Sequence, residues 1–493
     1  MNEASFPVGR LLMVDIEGQS LDAATAAFLR EHHIRAVCLF RKNLGTEAQI
    51  RQLTADLREV MGPQALIAMD QEGGSVVRAL CLPQAPGAMA LGAVGDESLC
   101  EQVGGSIARG LRHLGINWNF APVLDVNNNP ANPVIAERSF GSDPHAVARL
   151  AGAWMRGAAR EGVACCAKHF PGHGDTHMDS HHALPTVDKP LAALQALELI
   201  PFAQLADQAP SLMTAHIVYP QIDPEYPATL SRRFLTGLLR EQMGYRGVVI
   251  TDALMMKAVH DRYGHARAAV LALQAGADMP LAQGSRAEQL AALQAVQAAF
   301  DRGDLNIVEL RRAADRLDRL AERFPADRIE LTDTQRQADE ALMRAGWARA
   351  LAAVGAPQAP RRDRPLRVVT QARVDSDGVS EAGLPASAVR ALFEGFADVQ
   401  FVEVANLAAM SHDMARADDG RETVLVSNQR ARYATPGLLR PALHLVLWNP
   451  FQVLDVPAPA VITWGYGDGA LAALKAWLEG QADAPGIAPV ALA

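Results

Sequence analysis

The stretch of sequence that decides the fold reads Val-Ala-Cys-Cys-Ala-Lys-His and occupies residues 163–169. It is a short apolar run that ends abruptly on two polar side chains. A run of this length without polar alternation is typical of a strand that is buried on both faces of a parallel sheet. The lysine and the histidine would then lie at the edge of the sheet, where the strand passes into a loop.

The same pattern recurs along the first part of the chain, with helical stretches such as 46–60 and 262–275 between the runs. The other apolar runs are residues 11–15, 35–40, 65–70, 116–121, 211–216, 247–252 and 277–282. Eight buried strands, each followed by a helical segment, predict an α/β fold of the (β/α)8 TIM-barrel type. Pro280 removes an amide donor from a closed sheet that has no edge, so we expect a bulge at that position.

A second unit follows the barrel. A helical run over 333–354 leads into the Pro-rich, charged linker 355–365, and the alternation of strands and helices then resumes. The sequence therefore predicts a catalytic barrel at 1–330, a helical connection and linker at 331–365, and a smaller α/β sandwich domain at 366–493. We find no candidate catalytic residue in the sandwich domain and expect it to pack against the barrel and shape the cleft.

Composition excludes several classes of function. A net charge of -9 lacks the positive charge expected of a nucleic-acid binder. The start of the chain, 1–6, has no basic segment followed by an apolar one, and no apolar run approaches the length of a membrane span. We therefore expect a cytoplasmic protein with neither nucleic acid nor membrane as a partner. The five cysteines are odd in number and form no CxxC pair, which argues against a disulfide framework and a thiolate zinc site.

Polar side chains cluster at the predicted carboxyl ends of the strands. In a TIM barrel these ends meet at one rim, where the loops after the strands build the active site. The residues at this rim are Asp70, Asp125, Lys168, His169, His216 and Asp252.

The densest motif is the loop Lys168–Pro185, the histidine loop, which carries five of the 14 histidines of the chain. Two hypotheses compete for it. Either its histidines and aspartates bind a divalent metal, or one histidine is a general acid/base tuned by a carboxylate, as Asp179 could do for His181. The histidines proposed as metal ligands are His173, His177 and His181. Their spacing suits a helix, whereas Pro171 and the glycines around it indicate an irregular loop, so the metal hypothesis is disfavoured.

Two further segments carry carboxylates. Gly-Val-Val-Ile-Thr-Asp-Ala-Leu, residues 247–254, delivers Asp252 to the rim on a buried strand, and such a rigidly placed carboxylate suits a nucleophile. Asp-Gln-Glu-Gly-Gly-Ser-Val-Val-Arg, residues 70–78, combines a strand-end carboxylate with two glycines that permit close approach of a ligand and with Arg78. Arg138, in Glu-Arg-Ser at 137–139, offers a bidentate donor.

Taken in order, these motifs resemble those of the family 3 glycoside hydrolases, and in particular their β-N-acetylglucosaminidase branch. The resemblance spans about residues 8–325. It rests on Asp-Gln-Glu-Gly-Gly at 70–74, Phe-Ala-Pro-Val-Leu-Asp-Val at 120–126, Glu-Arg-Ser at 137–139, Lys-His-Phe-Pro-Gly-His-Gly at 168–174, Asp-Ser-His at 179–181 and Ile-Thr-Asp at 250–252.

The resemblance implies a retaining exo-β-N-acetylglucosaminidase that needs no metal and no cofactor. It implies that Asp252 is the nucleophile, that His181 is the acid/base and that Asp179 orients His181. The residues implied to hold the sugar hydroxyls and the N-acetyl group are Asp70, Arg78, Arg138, Lys168 and His169. The implied substrate is a saccharide or muropeptide with terminal N-acetylglucosamine, released during cell-wall recycling.

Three alternatives remain open at this point. A phosphorylase would use the same covalent intermediate but let phosphate attack it in place of water. A metal-dependent barrel amidohydrolase would use the histidines as ligands. A catalytically silent sugar-binding protein is the third alternative, although such a protein would not need Asp252, His181 and Asp179 together.

Overall fold

The eight predicted strands close into a parallel barrel in a computed structural model of the chain, which describes residues 6–179, 184–376, 378–380, 382–414, 417 and 419–492. Each strand pairs with its neighbours in chain order, and the last pairs with the first. The strands are Met13–Asp15, Ala36–Cys38, Leu66–Met69, Trp118–Asn119, Ala164–Phe170, Ser211–Thr214, Val248–Ala253 and Met279–Leu281. The predicted barrel is confirmed.

Helices surround the barrel, and many begin at a polar cap. Thr46 and Asp96, for example, accept backbone N–H groups at the start of the helices Glu47–Met61 and Glu97–His113. The other helices of this unit are Ala23–Glu31, Ala88–Val94, Pro144–Arg160, Leu191–Ala196, Ile200–Leu205, the π-helical Arg233–Gln242, Lys257–Tyr263, His265–Ala275, Arg286–Asp301 and Ile307–Arg323. Within the described part of the chain, no helix is long and apolar enough to cross a membrane.

The bulge expected at Pro280 is present. The register between the seventh and eighth barrel strands shifts between Met279 and Leu281. Beyond the proline, the N–H of Leu281 donates to the hydroxyl of Thr251 over 2.9 Å. A side-chain acceptor thus compensates for the interrupted ladder in a sheet that offers no edge.

The second unit contains a six-stranded sheet. In spatial order its strands are Ala352–Val354, Ala460–Ile462, Leu443–Val446, Glu422–Ser427, Leu366–Gln371 and Val399–Val404. Only the first of these runs antiparallel to its neighbour. Helices Ala386–Leu392 and Asp468–Leu478 cover one face, and loop residues such as Leu407 and Met410 cover the other. We call this unit, residues 366–492 with the strand Ala352–Val354, the second domain.

One predicted boundary is wrong. The helix predicted over 333–354 ends at Ala350, and residues 352–354 form the antiparallel edge strand. In the sequence, no helix-breaking residue separates 351–354 from the helix. The strand forms because the backbone of residues 352–354 pairs with Ala460–Ile462. Such tertiary pairing overrides local propensity.

The two units share an apolar core. Met89 and Ala90 of the barrel helix Ala88–Val94 pack in one cluster with Trp347, Ile462 and Trp464, and these five residues are all fully buried. The indole N–H of Trp347 also donates to the Gln84 carbonyl over 3.0 Å. The second domain is therefore docked firmly beside the rim at which the barrel strands end.

Candidate active site

A cavity of about 650 Å³ opens at the carboxyl ends of the barrel strands. Six of the eight predicted site residues line it, namely Asp70, Arg78, Arg138, Lys168, His169 and Asp252. Residues from distant parts of the chain meet there because parallel strands bring their carboxyl ends to one rim. The cavity is therefore the candidate active site.

Lys168 is the centre of a buried charge network. Its ammonium group lies 2.7 Å from a carboxylate oxygen of Asp70 and 2.7 Å from one of Glu72. Arg138 binds Glu72 with two hydrogen bonds, of 2.8 and 3.0 Å. Each of these four charged groups thus contacts a group of opposite charge. A buried charge requires such a partner.

The network fixes the charge state of its members. Burial alone would raise the pKa of Glu72, but Arg138 and Lys168 hold that pKa well below its usual range. Burial likewise disfavours the charged form of Lys168, yet Asp70 and Glu72 raise its pKa above the ordinary value. The cavity therefore presents a fixed ammonium group beside fixed carboxylates, which suits the recognition of sugar hydroxyls as donors and acceptors.

His169 is oriented by Asp125. Its Nδ1 lies 2.7 Å from a carboxylate oxygen of Asp125, and the other oxygen accepts the backbone N–H groups of His169 and His173. Burial tends to raise the pKa of the Asp125 carboxyl, but the interactions with His169 and His173 bring it below its ordinary value. The ionised carboxylate accepts a hydrogen bond from a protonated Nδ1. When the His169 ring is neutral, its Nε2 therefore carries no proton and can accept a hydrogen bond.

Asp252 and Asp70 belong to opposite sides of the barrel. Asp252 is at the end of the seventh strand and Asp70 follows the third, so half of the eight-stranded circle separates them. The backbone N–H of Ala253 donates to an oxygen of Asp252 over 2.8 Å. A partly exposed carboxylate thus faces a cavity whose opposite side carries polar groups able to hold a ligand.

The described part of the histidine loop reaches Asp179, which is partly exposed, while His181 lies outside the described residues. The predicted pairing of Asp179 with His181 therefore stays a prediction. His173 is buried, and its Nδ1 lies 2.9 Å from the hydroxyl of Thr176. Burial lowers the pKa of His173 to about 4, so this ring is neutral near pH 7.

The described part of the chain contains no set of ligands that would support the metal hypothesis. No group of three histidine, cysteine, aspartate or glutamate side chains among the described residues could hold a metal ion. Of the histidines proposed as ligands, His173 bonds to Thr176 and His177 accepts from Asn129 over 3.2 Å, while His181 lies outside the described residues.

Sequence reasoning missed several residues of the cavity. Glu72 was quoted only as part of a motif, although its position two residues after Asp70 could have drawn attention to it. Arg41 and Lys257 also line the cavity. Residues of the second domain line it as well, namely Ser376, Gly378, Val379 and Ser380, and Arg78 donates to the Val379 carbonyl over 2.9 Å. No local signal in the sequence points to this contact, because 301 positions separate its partners.

Comparisons with known proteins show which family this chain resembles. Residues 7–320 match the family model described as "Glycosyl hydrolase family 3 N terminal domain". The chain is 39% identical over 294 residues to the Beta-hexosaminidase of Pseudomonas aeruginosa strain LESB58, covering 58% of this chain and 86% of that protein. It is 40% identical over 278 residues to the Beta-hexosaminidase of Chromobacterium violaceum, covering 55% and 77%.

A solved structure matches both units. It is a glycoside hydrolase family 3 β-N-acetylglucosaminidase from Paenibacillus sp. str. FPU-7, with a TM-score of 0.85 and 33% sequence identity. The match covers 99% of this chain and 98% of that chain. The family model thus accounts for the barrel, and the solved structure accounts for the barrel together with the second domain.

Proposed function

This chain belongs to glycosyl hydrolase family 3, and from that membership we propose that it removes terminal β-linked N-acetylglucosamine from saccharides by retaining hydrolysis. The single observation that carries the proposal is the arrangement across the cavity. Asp252 stands on one side, and the buried pair of Asp70 and Lys168 stands on the other. One side thus supplies a nucleophile and the other supplies groups that hold a sugar.

The sugar-holding side has the chemistry that hydroxyl groups need. A hydroxyl can donate to Asp70 while it accepts from Lys168, and Arg78, 3.9 Å from Asp70, adds a further donor. Arg138 and His169 complete the set proposed for the hydroxyls and the N-acetyl group. Because these side chains are held by buried ion pairs and hydrogen bonds, they lose little freedom when the sugar binds.

The proposed reaction proceeds in two steps. Asp252 attacks the anomeric carbon and forms a glycosyl ester, while His181 donates a proton to the departing glycosidic oxygen. Water then gives a proton back to His181 and attacks the same carbon, which releases N-acetylglucosamine and regenerates the Asp252 carboxylate. Asp179 is proposed to fix the tautomer of His181 while that ring is neutral, and to balance its positive charge before it donates a proton and after it takes one back.

We propose that the natural substrates are peptide-bearing cell-wall fragments in the cytoplasm, as the resemblance implied. Arg41 and Lys257 line the cavity, and their positive charge suits the carboxylates of such an aglycone. We likewise propose residues 1–330 as the catalytic unit, because every residue with a proposed role in catalysis or sugar binding lies in that range.

The test of the activity compares an aryl β-N-acetylglucosaminide with the corresponding aryl β-glucoside. We expect efficient release of the aryl alcohol from the first substrate and a kcat/KM lower by about a hundredfold or more on the second. Equal rates on both substrates, or activity on the glucoside alone, would contradict the assignment to N-acetylglucosamine.

Phosphorolysis is the second candidate function. The same cations that suit a carboxylate also suit phosphate, and a histidine acid/base would not repel this anion as a carboxylate would. Assays with and without phosphate, analysed for sugar 1-phosphate, separate the two reactions. Absence of the sugar phosphate at saturating phosphate would reject phosphorolysis.

A further inference from the structure

The second domain binds one particular loop of the barrel, residues 127–138, which we call the asparagine loop. The indole N–H of Trp448 donates to a carboxylate oxygen of Glu137 over 2.8 Å. Arg430 donates to the Val134 carbonyl over 2.6 Å, and Arg432 donates to the Pro130 carbonyl over 2.9 Å. Three donors of the second domain thus hold this loop at three points, from Pro130 to Glu137.

These donors are themselves fixed. Arg432 forms two hydrogen bonds to the buried carboxylate of Asp455, at 2.5 and 2.6 Å. Trp448 is only 1% exposed, and its ring meets that of Tyr466 edge to face at 4.9 Å. The side chain of Arg430 is 10% exposed, and its backbone is held by a hydrogen bond of 2.9 Å from the Asn449 amide to the Arg430 carbonyl. Rigid donors of this kind impose a position on the loop that they contact.

The asparagine loop in turn holds the histidine loop. The amide group of Asn132 donates to the carbonyls of His173 and Gly174, at 2.8 and 3.0 Å, and its oxygen accepts the N–H groups of Val134 and Ile135. Asn132 is buried, and it therefore joins the backbones of both loops through one side chain.

Close packing leaves little room between these loops. A Cβ atom on Gly174 would lie 1.7 Å from the carbonyl oxygen of Val126, the residue directly before the asparagine loop, and 3.3 Å from the side-chain oxygen of Asn128 within it. The histidine loop can therefore approach this closely only with glycine at that position. A shift of the asparagine loop would therefore displace the histidine loop as well.

We infer that the second domain is a positioning device for catalysis, in which Trp448, Arg430 and Arg432 act through Asn132 on the histidine loop and its Asp179. This inference rests on the proposed function, because that function places the acid/base on the histidine loop. The same asparagine loop ends at Arg138, so the second domain supports the buried charge network by the same route.

Docking of the two units does not require these polar contacts. The shared core of Met89, Trp347 and Trp464 already joins the barrel to the second domain. Glu137, which is 2% exposed, also accepts from Ser75 within the barrel over 2.7 Å. Loss of the Trp448 contact should therefore alter the asparagine loop more than it alters docking.

The experiment compares Trp448→Phe with a matched control, Trp477→Phe. Both changes replace a buried tryptophan of the second domain, but Trp477 packs with Leu392 and Leu474 inside that domain and not in the core shared with the barrel. Each variant is assayed on a dinitrophenyl N-acetylglucosaminide and on an N-acetylglucosamine disaccharide. Hydrogen exchange is measured in peptides that cover residues 127–138 and 171–179, and melting temperature is recorded for both variants.

For Trp448→Phe we expect kcat on the disaccharide to fall by about tenfold, with a smaller loss on the dinitrophenyl substrate, whose leaving group needs no proton. We also expect hydrogen exchange in both loops to be faster by about tenfold, whereas Trp477→Phe leaves both measurements near those of the wild type. Equal effects of the two variants, or unchanged exchange with Trp448→Phe, would overturn the inference.

Asn132→Asp provides a second variant. It keeps the acceptor for Val134 and Ile135 but removes the donor to His173 and Gly174. We expect the same preferential loss on the disaccharide, with faster exchange confined to residues 171–179. Hydrogen exchange tests the inference whether or not the enzyme turns over the substrates. A wild-type enzyme that is inactive on both substrates would contradict only the proposed function.

Discussion

Lys168 donates a hydrogen bond of 2.7 Å to Asp70 in the wall of the cavity, although 98 positions separate the two residues in the sequence. The pair joins the end of the fifth barrel strand to the end of the third. Lys168 is 2% exposed and also binds Glu72. The side chain that we assign to sugar binding is therefore also part of the structure that holds the rim together.

Replacement of this lysine should affect both roles. In Lys168→Met, the stem of the side chain is kept while the ammonium group is lost, and Asp70 and Glu72 are left without it. We expect kcat/KM to fall by about a hundredfold and the free energy of unfolding to fall by about 3 kcal/mol. Steady-state kinetics and urea denaturation measure the two effects. Lys475→Met, at a partly exposed lysine of the second domain, is the control, and a Lys168 variant that behaves like it would contradict the assigned role.

Asp252 should be indispensable for turnover. In Asp252→Ala and Asp252→Asn, no carboxylate can form the glycosyl ester, so we expect kcat to fall by about 10⁴-fold or more. Azide added to the alanine variant should attack the anomeric carbon of an aryl substrate directly and give the α-glycosyl azide, which mass spectrometry and NMR detect. Asp261→Asn, at an exposed neighbour, should keep full activity. A β-glycosyl azide from the alanine variant would contradict the nucleophilic role.

The loss of activity in variants of His181 and Asp179 should depend on the leaving group of the substrate. If His181 is the acid, His181→Ala impairs substrates with poor leaving groups far more than activated aryl glycosides, because only the former need a proton in the transition state. Asp179→Asn should show the same trend with a smaller loss. Plots of rate against leaving-group pKa for a series of aryl glycosides provide the measurement. Equal losses along the series would argue against His181 as the acid.

Chelation separates hydrolysis by these side chains from metal-dependent chemistry. The proposed mechanism uses only water and the side chains of Asp252, His181 and Asp179, so we expect full activity after prolonged dialysis against a strong chelator. Metal content of the dialysed protein, measured by elemental analysis, is the necessary control. Loss of activity that returns with one divalent metal would favour the amidohydrolase hypothesis.

The sequence predicted those parts of the molecule that depend on local patterns. Apolar runs such as 163–169 identified all eight barrel strands, because a strand buried on both faces must be apolar along its length. The rim residues followed, since the carboxyl ends of parallel strands converge. The hydrogen-bond and ion-pair partners of these residues could not be predicted from the sequence. That Glu72 binds Lys168 and that Trp448 binds Glu137 depends on packing between segments 96 and 311 positions apart, which no periodicity records.

His444, in the second domain, should make stability sensitive to acid. Its ring is fully buried, its Nε2 lies 2.7 Å from the Ser427 hydroxyl, and burial lowers its pKa to about 3. An unfolded histidine has a pKa of about 6.5, so the unfolded chain binds more protons between these values. The stabilisation is therefore present above about pH 6.5 and is lost progressively as the pH falls toward 3.

From about pH 7 to about pH 5, this single group should lower the free energy of unfolding by about 2 kcal/mol. In His444→Gln this proton uptake on unfolding is absent. The free energy of unfolding should therefore fall by about 2 kcal/mol less between pH 7 and pH 5 than it does in the wild type, whatever the variant does to stability at neutral pH. Urea denaturation followed by tryptophan fluorescence measures it. His412→Gln, at an exposed histidine of the same domain, is the control. If His444→Gln lost as much stability on acidification as the control, His444 would not be the group that titrates on unfolding.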